Sequence, residues 1–359
     1  MTAMPTPKFV NVKNSSFHQE LKKRVQSYFE NERTTMFGGS KILIKAIILW
    51  SLYIAGYVHL IFYTPSTWIA VFECIVMGLV TATIGFNVMH DGGHGSFSRN
   101  KTINQIAAYS VNILGASALM WHSKHNIIHH TYTNIDGVDD DISSGGLIRM
   151  APTQKWSPMH RFQHIYSWFL YGLLLLMWIT FTDYKKYFTQ KVGSVAIKKL
   201  STKQNIGFWV AKVFYLGIMV VLPIIKVGFL PWLVGYFVIA FTAGVVLSVV
   251  FQLAHLVEET TFPMPDDMNK IENEWAIHQT NTTANFATNN KLISWLVGGL
   301  NFQVEHHLFP KISHIHYPAI NKIVKDTCKE YGVKYIEFAT IGSAISSHSQ
   351  HLKNLGSKA

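Results

Sequence analysis

The sequence predicts an all-α membrane protein: four transmembrane helices forming two hairpins, with interfacial helices and a cytoplasmic cap around clustered histidines. Three observations predict it. Charged residues are only 14% of the 359-residue chain while hydrophobic residues reach 49%; soluble domains carry ~25% charge. The apolar residues are gathered in long runs that come as two close pairs. Seven of the 18 His stand in three short clusters and an eighth closes the last of those runs, instead of being scattered.

The elements follow in chain order. Residues 1–41 form a polar N-terminal segment carrying Lys22, Lys23, Arg24, Glu30 and Glu32. It has no early apolar stretch followed by small residues, so it does not read as a signal peptide. Ile42–Tyr63 and Trp68–Met89 are the first two spans, joined by Thr64-Pro65-Ser66. Phe208–Ile225 and Phe229–Ala254 are the other two, joined by Lys226-Val227-Gly228. Each is ~18–26 residues long, enough to cross about 30 Å of hydrocarbon. Ile103–Trp121 is interrupted by Asn104, Gln105, Asn112 and Gly115, and reads as an amphipathic or re-entrant helix at the interface. Ile165–Phe181 is apolar for 17 residues, at the lower limit for a crossing. The membrane domain covers residues 42–340, and 341–359 read as a polar tail.

Charge orients these spans. Lys and Arg exceed Asp and Glu by 31 to 20, a net charge of +11. If only the two pairs cross, Lys226 is the one basic residue in the outer turns. Lys45 and Lys212 sit just inside span ends, where they are expected to snorkel. The remaining 28 basic residues share one side, which the positive-inside rule makes cytoplasmic, with both termini. The positive excess therefore has a membrane explanation, and nucleic acid is excluded as a partner. Cys74 and Cys328 are the only cysteines, one in an apolar run and one in a polar region, which argues against a disulfide framework or a thiolate metal site.

The histidines carry the chemistry. His90 and His94 form H-D-G-G-H directly after the second span. His125, His129 and His130 form H-N-I-I-H-H. His255 closes the fourth span, and His306 and His307 end Q-V-E-H-H, with Gln303 in front. Residues four apart share a helix face, so His90/His94 and His125/His129 are each expected to aim a pair of imidazoles at one point. Eight imidazoles with almost no Cys point to a nitrogen-rich, octahedral metal site. Iron suits this best, since zinc needs only three or four ligands. The H-E-x-x-H of a zinc protease is absent. Haem uses one His per axial position and leaves most of these unexplained. His18, His59, His348 and His351 read as surface or satisfied polar residues, and His122 lies off the ligand spacing. Asp91, Asp139, Asp140, Asp141, Glu258, Glu259 and Glu305 stand beside His and are candidates for holding imidazole N–H groups. For the His to converge, Ile165–Phe181 must dip into the cytoplasmic leaflet without crossing.

H-D-G-G-H, H-N-I-I-H-H-T-Y-T-N and Q-V-E-H-H-L-F-P together resemble the three histidine boxes of membrane fatty acid desaturases, over roughly residues 40–340. Gln303 in place of the first His of the third box is similar to the front-end, linoleoyl-type branch, which inserts double bonds between an existing one and the carboxyl end. The resemblance implies a centre of two non-haem iron ions that uses O2 as co-substrate to insert a cis double bond into an acyl chain carried on a lipid or on CoA. The implied ligands are His90, His94, His125, His129, His130, His306 and His307, with His255 as the extra His after the last span. Gln303 is then a weaker ligand or a donor, and His278 is either an outer residue of the site or structural. Front-end desaturases often carry a fused cytochrome b5 domain marked H-P-G-G. That motif is absent here, so the expected electron donor is a separate protein, a ferredoxin or a cytochrome b5 with its reductase, docking on the basic face. Membrane lipids are an equal reason for that face, and the bacterial inner membrane is the expected location over the endoplasmic reticulum.

Two other functions compete. A fatty acid or lipid hydroxylase would use the same metal site and differ only in product. A non-catalytic metal sensor or transporter would need polar residues lining a path through the spans, and the spans offer few. An acyl tunnel between the second and fourth spans is expected, with Trp121, Trp275 or Phe302 as candidate walls.

Overall fold

Four helices among the described residues are long and apolar enough to cross a bilayer: Gly39–Tyr63, Thr67–His94, Thr202–Val227 and Phe229–His255, of 25, 28, 26 and 27 residues. The computed structural model describes residues 6–10 and 16–357; of the expected N-terminal segment and C-terminal tail, residues 1–5, 11–15 and 358–359 lie outside that set. The first three helices outrun their predicted spans by several residues and the fourth by His255 alone. The second does not stop at Met89 but carries H-D-G-G-H as its last turn. The third starts at Thr202, where Ser201 Oγ accepts from the Gln204 amide (3.3 Å) and the Gln204 side chain accepts from the Ser201 amide (2.9 Å). That capping box begins a helix before the apolar run does.

The connections are as short as the sequence implied. Thr64 adopts a left-handed φ of 43°, and Pro65, which has no N–H to donate, ends the first helix. Gly228 joins the third and fourth helices at φ 89° and ψ 163°, a conformation open essentially to glycine. The second and fourth helices then pack lengthwise through Ala82, Phe86, Ala243, Leu247 and Val250. Their outer faces, and those of the first and third helices, stay apolar: Ile44, Ile54, Phe72, Val213, Phe214 and Leu230 are all more than half exposed. Each such side chain costs roughly 1.5–3 kcal/mol to leave in water. Dozens of them are tolerable only against lipid.

Within the expected stretch Ile103–Trp121 the structure has two helices, Lys101–Ile113 and Ala118–His122; the first is amphipathic. Asn100 Oδ1 caps it, accepting from the Thr102 amide at 2.8 Å. It turns Ile103, Ile106, Tyr109 and Ile113 outward and buries Asn104, Ala107, Ser110 and Val111. The stretch around Ile165–Phe181 is not one straight helix. Pro158–Gly172 and Leu174–Thr189 meet at a bend of 58°. Both ends return to the histidine end of the bundle: Lys186 Nζ pairs with Asp140 at 3.2 Å, and Gln163 Nε2 donates to Arg149 O and Leu352 O.

Three expectations need correction. Lys45 and Lys212 do not snorkel. Both are buried, because partners inside are closer than water: Lys212 Nζ donates to Asp183 Oδ2 (2.8 Å) and Gly115 O (2.7 Å), and Lys45 Nζ lies 3.4 Å from His314 Nε2. The stretch after residue 340 is not a loose polar tail. Ile341–Gly356 is a helix started by Thr340, and it buries Ala344, His348, His351 and Leu352. His348 and His351 are accordingly interior; His348 bonds Tyr171 Oη (2.8 Å) and Leu256 O (2.6 Å). Finally, the fold is not purely helical. Lys8–Val10 pairs in parallel with Lys270–Glu272, Ala284–Phe286 in parallel with Ile336–Phe338, and Lys191–Val192 antiparallel with Val195–Ala196. These short ladders tie polar segments together around the histidines. Phe17–Asn31 adds Phe17, Leu21 and Val25 to the same layer, packed on Ile320, Val324 and Cys328 of Tyr317–Tyr331.

Candidate metal centre

Eight buried or nearly buried imidazoles meet where the second and fourth apolar helices end. His90, His94, His125 and His306 form one group able to hold a metal ion, and His129, His255 and His307 form another. His130 lies between them, grouped with His306 and His307. Within each group the ligand atoms lie within 4.8 Å of one another. Nitrogens at roughly 2.0–2.1 Å from a shared ion are up to about 4.2 Å apart, so small side-chain movements complete either site.

The second box reaches both groups because its helix is underwound. Ser123–His129 is a π-helix, with i→i+5 in place of i→i+4 bonding. His125 and His130, five apart, therefore come together, their Nε2 atoms 3.2 Å apart, while His129 turns to the other group. His125 and His129 thus belong to different groups, although their ligand atoms also lie within 4.8 Å of one another beside Asp141. A second π segment, Gly85–Met89, precedes His90, whose Nε2 is also 3.2 Å from that of His125. The two glycines of H-D-G-G-H let neighbours approach. A Cβ on Gly92 would stand 2.6 Å from Ala107 Cβ, and one on Gly93 2.3 Å from the Trp121 ring. Trp121 in turn stacks on His125, ring centres 4.6 Å apart.

Outer partners orient the rings. His129 Nδ1 donates to Asp139 Oδ2 (3.0 Å), His255 Nδ1 to Thr282 O (3.1 Å) and His307 Nδ1 to Gln279 Oε1 (2.8 Å). These acceptors cannot donate, so in all three the proton sits on Nδ1 and the Nε2 lone pair faces inward. His306 Nδ1 lies 3.1 Å from the Tyr317 hydroxyl. The Nε2 atoms of His94, His129, His255, His306 and His307 are buried and have no hydrogen-bond partner. Buried, unpaired lone pairs all aimed at one space are costly for a protein on its own. A cation is what they fit.

Electrostatics agree. Burial first, then mutual repulsion, holds His125, His130, His306 and His307 well below the ordinary imidazole range, so these rings are neutral ligands at physiological pH. Burial also pulls His129 down, but Asp139 and Asp141 more than offset it and its pKa is raised. The same carboxylates that favour a proton there favour a metal cation beside that ring.

Comparison with known proteins decides what such a centre belongs to. The sequence profile described as fatty acid desaturase matches residues 66–339. This chain belongs to the fatty acid desaturase family. It is 35% identical over 357 residues to an sn-1 linoleoyl-lipid 6-desaturase of Arthrospira platensis, covering 98% of this chain and 95% of the relative. It is 36% identical to an sn-1 linoleoyl-lipid 6-desaturase of Synechocystis sp., covering 95% of each. An acyl-lipid (8-3)-desaturase of Physcomitrium patens is 34% identical, over 98% of this chain and 74% of that protein.

The desaturase places the remaining candidates unevenly. Gln303 is buried with its Nε2 unpartnered. Asp91 does not hold a box histidine; its Oδ2 accepts from Ser313 Oγ (2.6 Å) and lies 3.1 Å from His314 Nδ1. Asp141 lies 3.4 Å from His129 Nδ1 but pairs chiefly with Lys124 at 2.5 Å. Asp140 points away, to Lys186. Glu305 also points away, accepting from Asn285, Asn321 and Tyr335, because one helical residue before His306 is turned about 100° from it. His278 joins neither group; its ring packs on Phe9 at 5.0 Å. His122 is bonded to Asn126 and also stays out. Sequence reasoning missed Gln279, Thr282, Tyr317 and His314, which lie far along the chain and carry no motif of their own. Asp139 was visible as a neighbour of the second box, but nothing in the run of three Asp distinguished it.

Proposed function

We propose that the eight imidazoles bind two non-haem iron ions, one in each group with His130 between them, and that the desaturase uses O2 to convert a CH2–CH2 pair of an acyl lipid into a cis double bond. The observation that carries this reading is the set of inward, unpartnered Nε2 atoms. When bound, the irons supply the oxidising power needed to break an unactivated C–H bond. The chain's own residues do the rest. Asp139, Thr282 and Gln279 keep the Nδ1 protons on the outer side, so the rings stay in one tautomer. Trp121 and Phe251, which meet His125 from the apolar side, exclude water and bound the approach of the chain. Gln303 serves as a weak ligand or hydrogen-bond donor beside them. Trp275 and Phe302 are not walls in this reading: Trp275 Nε1 donates to His130 O (3.1 Å), and Phe302 lies in the core with Phe17.

Acyl lipid is preferred to acyl-CoA because the relatives at 34–36% identity are named for linoleoyl-lipid and acyl-lipid substrates. The same names and the Gln at position 303 favour front-end regiochemistry. The two helix pairs cross the membrane as hairpins, with the histidine end and both termini cytoplasmic, in a bacterial inner membrane. Electrons come from a separate ferredoxin or cytochrome b5 with its reductase. Expression in a host of known lipid composition, with mass spectrometry of its fatty acids, tests the reaction. The wild type yields a new cis double bond on the carboxyl side of an existing one, and His94→Ala yields none. A hydroxylated product instead would make the enzyme a hydroxylase.

A further inference from the structure

A cleft opens between the two helix pairs at the end of the bundle remote from the histidines. Leu60 of the first helix, Val71 of the second, Pro223 of the third and Val234 and Val238 of the fourth line it, and about 360 Å³ between them is unfilled. That falls within the ~300–1,000 Å³ of sites that hold small molecules. The lining runs from Thr67 to Met77 on the second helix and from Leu230 to Ile239 on the fourth. At ~1.5 Å per residue these stretches measure about 14–15 Å, half of the ~30 Å of bilayer hydrocarbon. The cleft therefore has the depth of one leaflet, from the turns to the middle of the membrane.

Local chemistry keeps it apolar. Pro223 has no N–H, so the carbonyl four residues before it loses its helical partner. Trp232 Nε1 donates to that carbonyl, Met219 O (2.9 Å), and Tyr57 Oη donates to the neighbouring Ile218 O. Groups freed within a bilayer must find protein partners, and these two bonds brace the third helix against the fourth and the first. Tyr236 shares a 2.9 Å hydrogen bond with Tyr215. Tyr57, Trp232 and Tyr236 all line the cleft, but their polar atoms are engaged within the protein, and the wall left to a guest is hydrocarbon. Leu230 and Val234 on its rim are 67% and 48% exposed, so the cleft opens sideways to lipid and is not sealed inside the core.

The mouth carries one charge. Lys226 is exposed, adjoins the lining residue Val227, and has its Nζ 5.5 Å from the centre of the Phe62 ring, next to the lining residue Ile61. It is the one basic residue of the two turns, on the side that the positive-inside rule leaves poor in Lys and Arg. Glu73 is the only carboxylate in residues 42–89 and 208–254, and His59 Nδ1 holds it at 2.8 Å. Lys226 thus has no carboxylate of its own at this end of the described residues. Thr64 and Thr67 bring hydroxyl groups to the same mouth. A cationic, hydroxyl-bearing mouth over an apolar cleft one leaflet deep is complementary to a phosphate carrying a hydrocarbon tail.

We propose that this cleft seats one acyl tail of an anionic glycerophospholipid, from the leaflet remote from the metal centre, with its phosphate at Lys226, as a resident lipid distinct from the substrate. The proposal rests on the four helices crossing the membrane and not on the reaction. The full-length protein is purified in mild detergent, loaded with phosphatidylglycerol or phosphatidylcholine of identical tails, and weighed by native mass spectrometry. Wild type is expected to keep about one lipid per chain and to retain phosphatidylglycerol about five-fold better, the size of one Lys–anionic lipid attraction. Lys226→Ala is expected to keep a lipid and lose the preference. Ala70→Phe puts a ring into the cleft, which Ala70 lines, and is expected to lose most lipid of either kind; Val238→Trp replaces it if that variant does not accumulate. No retained lipid in the wild type, equal retention of the two headgroups, undiminished retention in the filled variant, or a second chain in place of lipid each overturns the proposal. Release of the protein from membranes by alkaline carbonate would overturn the crossing and this proposal with it. Absence of a new double bond in the wild type would remove the desaturase reading and leave this one standing.

Discussion

At the scale of residues, the site works through atoms that the histidine boxes do not contain. Asp139 is buried and bonds three groups at once: His129 Nδ1 and the backbone amides of Asn134 and Asp141, each at 3.0 Å. It sets the tautomer of His129 and supplies negative charge behind a ring that faces the proposed metal. Asp139→Asn keeps the shape and removes the charge, and an Asn amide directed at Nδ1–H would leave two donors facing each other. Activity, or iron retained after purification, is expected to fall by about 10–100-fold, the usual cost of losing an outer partner of a ligating His. Parallel assays of desaturation and iron content check it, with Asp140→Asn, which touches only the Lys186 pair, as the comparison. The sequence separates these two residues by one position and no chemistry. Only the turn at Asp139, whose φ and ψ of −75° and 109° place it before a short helical turn, sends one inward and the other to Lys186.

At the scale of elements, apolar runs located the four helices long enough to cross a bilayer but not their ends. Hydropathy stops where polar residues begin, whereas a helix stops where its hydrogen-bonding pattern is capped or broken. The second apolar helix therefore runs on through His94, and the third begins at its capping box. The π segments left no mark in hydropathy at all, yet Ser123–His129 is what brings His125 to His130 while His129 joins His255 and His307. The bent pair Pro158–Gly172 and Leu174–Thr189 stands where convergence demands a segment that does not cross: a straight crossing there would carry His255 away from the other histidines. Its two halves return to the histidine end, and a reporter inserted at Lys185-Lys186 is expected to read cytoplasmic. An external reading would mean that this pair crosses, and with it the shared site would have to be abandoned.

At the scale of the whole molecule, the low charge and the 18 His describe two layers of one machine. Four apolar helices make the lipid-facing layer. The polar layer is assembled from Phe17–Asn31, the loops after the second and fourth helices, and the segment from Trp275 to Gly356, each bringing ligands or their supports. The boxes were readable because metal chemistry demands His at helical spacing. Their supports were not, because a carbonyl such as Thr282 O or an amide such as Gln279 becomes a partner only once distant segments are folded together. The central claim is that these imidazoles form one centre for two iron ions, and metal analysis of the detergent-purified full-length protein tests it most directly. The account predicts two irons per chain, with a loss of iron in His307→Ala and in His306→Ala. Zinc in place of iron, or iron binding at wild-type level in both variants, would contradict it.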